Sequence, residues 1–102
     1  MTAYGKLVRD GIPDLIRREG FTPRVRVLPD AAYREALRKK LREEVAEYLE
    51  SGELTELADI LEVVYALAEA DGHDRAALLR AYNEKHEARG GFSGRCYLIA
   101  KE

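Results

Sequence analysis

Five acidic residues in one short stretch, Lys40 to Tyr65 (KLREEVAEYLESGELTELADILEVVY), have the spacing to do chemistry together. Glu43, Glu44 and Glu47 stand in one helix-forming segment, Glu56 and Asp59 in the next, and Ser51-Gly52 makes a turn between them. Residues three apart share a helix face, so Glu44 with Glu47 and Glu56 with Asp59 form two carboxylate pairs that can face each other across a helical hairpin. Four converging carboxylates repel unless cations sit among them, and an all-oxygen set suits Mg²⁺ or Mn²⁺. The competing reading is a solvated face, with Lys39, Lys40 and Arg42 at ion-pair spacing and Glu56 favoured in a first helical turn by the helix dipole. Glu44 and Glu56 together tip the balance to the metal site: both fall on the apolar side of their helices, where an unpaired charge is costly.

The elements that must position these acids are helical. Asp10-Gly11 and Pro13 open a short helix over Pro13 to Arg18. Asp30 serves as the N-cap of a long helix over Ala31 to Glu50, with an apolar stripe of Leu37, Leu41, Val45, Tyr48 and Leu49, into which Glu44 falls. A second long helix, Leu54 to Ala70, is apolar over most of its circumference through Leu57, Ile60, Leu61, Val63, Val64, Leu67 and Ala68, so it is expected to be buried, partly by an oligomer interface. At 100° per residue Glu56 lies between Ile60 and Val63, with Asp59 at the edge of that sector and Glu62 on the polar side. Asp74 caps a third long helix, Arg75 to Arg89, stopped by Gly90-Gly91. Its stripe of Leu78, Tyr82, Lys85 and Arg89 ends in two cations. Arg24 to Leu28 (RVRVL) and Cys96 to Ala100 (CYLIA) read as short strands, expected to pair antiparallel.

Lys85 and Arg89 can serve as C-terminal dipole partners or reach the acids and bind phosphate oxygens, Arg as a planar fork and Lys as a point charge. The amide of Asn83 can hydrogen-bond a base or a phosphate. His86 and Cys96 have no ligand partner at metal spacing. The chain has no Walker loop, GxGxxG or GxSxG.

At 102 residues the chain reads as a single domain, residues 1–102, small enough to need a partner chain over its helices. Its formal net charge is -2, with 35% charged and 46% hydrophobic residues, an ordinary globular composition without the basic excess of a nucleic-acid binder. A single cysteine and an N-terminus without an apolar signal segment point to the cytoplasm. The longest apolar run, Val63 to Ala68, is far below the roughly 20 residues of a membrane span, so no membrane partner is expected.

Taken in order, these motifs resemble the all-α nucleoside triphosphate pyrophosphohydrolases of the MazG and phosphoribosyl-ATP pyrophosphohydrolase type. KLVRDGIP at Lys6 to Pro13 looks like the opening of a small MazG-like subgroup. EEVAE at Glu43 to Glu47 matches the ExxE element, ELAD at Glu56 to Asp59 matches ExxD, and Lys85 with ARGGF at Ala88 to Phe92 resembles the later basic and glycine element. Residues 48–55 separate the acidic motifs, a shorter span than in the larger members. The resemblance implies a MazG-like helical bundle completed by dimerisation, as a dimer or dimer of dimers. It implies Glu44, Glu47, Glu56 and Asp59 as Mg²⁺ ligands, with Mn²⁺ as a substitute, and a nucleotide cleaved between its α and β phosphates to a monophosphate and pyrophosphate. Within that scheme Lys85 and Arg89 stabilise the leaving pyrophosphate, Glu43 orients the water or a ligand, and Lys6, Arg9 and Asn83 contact substrate. Phosphoribosyl-ATP hydrolysis in histidine synthesis and a non-catalytic helical oligomerisation module are the alternatives.

Overall fold

A computed structural model describes residues 5–102. Four helices follow one another: α1 (Ile12–Arg18), α2 (Asp30–Ser51), α3 (Leu54–Ala70) and α4 (Arg75–Arg89). The helix bounds match the sequence reading closely, since each end carries a local signal. After α1, Gly20 takes φ 92°, its N–H bonds to Arg17 O at 3.0 Å and the Phe21 N–H reaches Ile16 O at 3.2 Å, the double closure that a left-handed glycine permits. Asp74 caps α4 as expected, accepting from the Ala77 N–H at 2.8 Å. Asp30 corrects its expected role: it is the first helical residue, Pro29 holds the cap position, and no side chain caps α2.

The organising unit is the antiparallel hairpin of α2 and α3. Gly52 reverses the chain at φ 68°, ψ 12°, and its N–H bonds to Tyr48 O at 2.8 Å. At the far end Arg34 of α2 donates from Nε and Nη2 to Ala70 O, at 3.1 and 2.7 Å, satisfying a carbonyl at the end of α3 that has no partner within its own helix. The helix α4 packs on α3 through half-buried Ala77 and Leu78, and Arg75 lies over the Tyr65 ring at 3.9 Å.

Among the described residues only Leu37, Val63 and Glu44 are buried. Leu41 and Tyr48 of the expected α2 stripe are half-buried, whereas Val45 and Leu49 are exposed. On α3, Leu57 and Leu61 face outward, so the first half of the helix that reads as buried nearly all round is open on one side, while residues 63–68 are buried or half-buried. The stripe on α4 is likewise uncovered past Leu78, with Tyr82 exposed and stacked on His86.

The expected strand pair is absent among the described residues: residues 24–28 and 96–100 form no ladder. Val27 and Ile99 are 97% and 91% exposed. A two-stranded pair without a face to pack on is marginal in water, and these segments lie exposed instead of packing on the hairpin. No helix of the described residues is long and apolar enough to cross a membrane.

Gly52 tests the hairpin. A Cβ there meets nothing within 4 Å, so the cost of a side chain is that of the left-handed backbone alone. Gly52→Ala should cost about 1 kcal/mol, a fall in Tm of roughly 4–8 °C. Gly52→Asn should recover part of it, because Asn tolerates that conformation. Thermal unfolding at matched protein concentration reads both, and equal Tm values for all three proteins would contradict the assignment.

Candidate metal centre

Glu44 lies one heptad after Leu37, so both project from the same face of α2 into the hairpin, and Glu44 is only 6% exposed. Its Oε1 is 3.2 Å from Lys40 Nζ, one helical turn earlier. Its Oε2 is shielded from water and has no hydrogen-bond partner among the described residues. A charged oxygen in that position costs the desolvation of the group without return.

Across the turn, α3 presents Glu56 in its first turn and Asp59 three residues on, both half-buried and on the flank that leads to buried Val63. Glu44, Glu56 and Asp59 each offer an oxygen within 4.8 Å of the others. Unit charges that close repel by about 1 kcal/mol in bulk water and several times that where water is partly excluded. Two cations offset part of this: Lys40 on Glu44, and Arg9, whose Nη2 donates to Asp59 Oδ1 at 2.7 Å. Lys40 and Arg9 each hold one carboxylate oxygen, and the buried Oε2 of Glu44 has no hydrogen-bond partner among the described residues. The all-carboxylate donor set fits a hard divalent cation, Mg²⁺ or Mn²⁺, rather than a soft one.

The remaining candidates are placed differently. Glu47 is exposed one turn beyond Glu44 and stands outside the close group; Glu43 is half-buried beside it on α2. Asn83, Lys85 and Arg89 are all exposed on the outer part of α4, and neither cation makes an ion pair or side-chain hydrogen bond with a described residue. Within one chain they are not joined to the acids. Lys6 is an exposed residue of the segment that carries Arg9.

Lys40 forms one of the i, i+4 pairs that the spacing offered as the competing reading. One feature escaped the sequence reading. The Arg9–Asp59 contact joins residues fifty apart in sequence, and no local pattern announces it.

If Glu44 is buried for a ligand rather than for the fold, an apolar replacement should not weaken the metal-free protein. Replacing both partners of a buried ion pair by apolar groups is often neutral or stabilising by about 1–4 kcal/mol, whereas removing one strands the other. The double variant Lys40→Met with Glu44→Leu is therefore expected to hold or raise Tm in the presence of a chelator. A drop of several degrees would mean that the carboxylate serves the fold itself.

Compared with known proteins, the chain matches no family model and no solved structure. It is 60% identical over 42 residues to an uncharacterised protein of Mycolicibacterium smegmatis, a stretch that covers 41% of this chain and 43% of that protein. The chain thus matches less than half the length of this relative.

Proposed function

We propose that this chain is a cytoplasmic, Mg²⁺-dependent nucleoside triphosphate pyrophosphohydrolase of the MazG-like type, releasing a monophosphate and pyrophosphate in nucleotide-pool house-cleaning. The observation that carries the cation is the group of Glu44, Glu56 and Asp59, with oxygens within 4.8 Å, together with a buried Glu44 Oε2 that has no hydrogen-bond partner among the described residues. The nucleotide rests on the order of the motifs KLVRDGIP, EEVAE, ELAD and ARGGF. The free, exposed Cys96 suits a reducing compartment.

In this reading Glu44, Glu56 and Asp59 hold the ion, and Glu47 joins them from the next turn of α2. Bound there, Mg²⁺ supplies neutralisation of phosphate charge and activation of water. Glu43, half-buried beside Glu44, orients the water. The guanidinium of Arg9 lies next to Asp59 and can take a phosphate oxygen. Lys85, Arg89 and Asn83 meet the substrate once a second copy closes over the hairpin.

The case for a second copy is one of area. The accessible surface is 9331 Å², whereas a compact monomer of this mass exposes roughly 5,800 Å². The radius of gyration is 17.9 Å, against about 13 Å for a compact 100-residue domain. The excess exceeds the ~800 Å² that each partner buries in an ordinary interface. The uncovered apolar surface by itself also fits the alternative, a non-catalytic helical oligomerisation module.

Incubation with Mg²⁺ and a panel of common and damaged nucleoside triphosphates, beside phosphoribosyl-ATP, should give monophosphate and pyrophosphate from the true substrate. Glu56→Gln should lower kcat by about 100-fold or more. Tm should rise with Mg²⁺ in the wild type, by the equivalent of about 2.7 kcal/mol at a hundred times Kd, and not in Glu56→Gln. Absence of turnover on every substrate, together with a Tm indifferent to Mg²⁺, would leave the oligomerisation module as the reading. Turnover of phosphoribosyl-ATP alone would assign histidine synthesis. Sedimentation should find a dimer or larger, and a compact monomer would remove the second copy.

A further inference from the structure

Lys40 and Arg9 are held at the acidic group in different ways. Lys40 sits on the same helix as Glu44, one turn away, with its side chain 22% exposed, so the helix itself fixes that pair. Arg9 comes from the loop before α1, where the Ile12 N–H bonds back to Arg9 O at 3.0 Å, and its side chain is 53% exposed. Its guanidinium can leave Asp59 without disturbing any helix.

A divalent ion among the oxygens of Glu44, Glu56 and Asp59 would compete with Arg9 for the same carboxylate and repel its charge. An exposed pair of this kind changes an affinity by only about two- to fivefold, weak enough for a divalent ion to break. The displaced guanidinium then needs another anion. A polyphosphate arriving with the ion supplies one, and its oxygens match the planar fork of Arg.

We infer that Arg9 is an exchangeable counter-charge: it occupies Asp59 while the centre is empty and passes to the phosphate chain when metal and polyphosphate arrive together, so that the centre disfavours the bare ion and selects the metal–polyphosphate complex. This rests on the metal-dependent pyrophosphohydrolase reading and adds an order of loading to it. One residue then has opposite effects on two ligands, which a residue that only supports the fold does not.

The full chain, Arg9→Gln, Arg9→Lys and the control Arg17→Gln, whose pair with Asp14 lies within α1, would each be titrated calorimetrically. The probes are Mn²⁺ alone and the preformed complex of Mn²⁺ with inorganic tripolyphosphate. Arg9→Gln should bind Mn²⁺ alone about two- to fivefold more tightly than wild type, the fold-change that the lost ion pair predicts. It should bind the complex about tenfold or more weakly, as expected for losing a hydrogen bond to a charged group. Arg9→Lys should keep part of the affinity for the complex, and Arg17→Gln should match wild type on both probes. Unchanged affinities, or both shifts in the same direction, would overturn the exchange while leaving the metal centre standing. Failure of wild type and Arg9→Gln alike to bind either probe would instead overturn the metal centre, and the exchange with it.

Discussion

The α2–α3 hairpin is organised around an electrostatic conflict. Its inner face buries Leu37, Val63 and a carboxylate, Glu44, whose Oε2 has no hydrogen-bond partner among the described residues. Two further carboxylates converge on it from α3. Repulsion at this distance is comparable to or larger than what an exposed ion pair returns, so Arg9 and Lys40 ease the conflict without resolving it. A fold under selection for stability alone has a cheaper choice at position 44 in leucine. A binding site gives the carboxylate a reason: charge kept at a cost in the free protein becomes affinity for a cation.

The same hairpin is short of cover. A helix as apolar as α3 is stable when most of its circumference is packed, yet α2 covers one side and α4 only part of the rest, leaving Leu57 and Leu61 in water. Val25, Val27, Tyr97, Leu98 and Ile99 lie exposed in segments with no strand partner. These observations share one cause, a chain whose apolar surface exceeds what its own elements can enclose. The acids occupy one flank of α3 while its opposite flank is open, so a protomer docking there would stiffen the helix that carries Glu56 and Asp59. In the proposed enzyme, site and interface would then depend on each other through α3.

The counter-charges also divide by how they are anchored. Lys40 is bound to its carboxylate by helical periodicity, whereas Arg9 reaches Asp59 from a loop whose position depends on the hairpin being formed. Lys85 and Arg89, on the exposed part of α4, depend on something further still, since no described contact carries them to the acids. Cations of the three kinds would enter the chemistry at different stages of assembly.

The helices were legible because their limits are local: Gly20, Gly52, Gly72 and Gly90 adopt positive φ where the turns fall, and Asp74 caps as its type suggests. The helical wheel also sorted Glu44, Glu56 and Asp59 from Glu62 correctly, since the angle between residues on one helix is set by the backbone. Glu47 stood on a motif rather than on the wheel, and in the single chain it is exposed. The strand pair was misread because alternation in RVRVL and CYLIA specifies only that each segment can be extended; pairing needs a face to lie on, and that is a property of the whole assembly. What the sequence determined by itself was helix, turn and the inward side of Glu44, Glu56 and Asp59, all fixed within a few residues. Tertiary structure alone decided that Glu44, Glu56 and Asp59 meet within 4.8 Å, that Glu44 Oε2 has no hydrogen-bond partner among the described residues, and that Arg9 crosses fifty residues to reach Asp59, because distances between elements arise from packing, which local spacing does not encode.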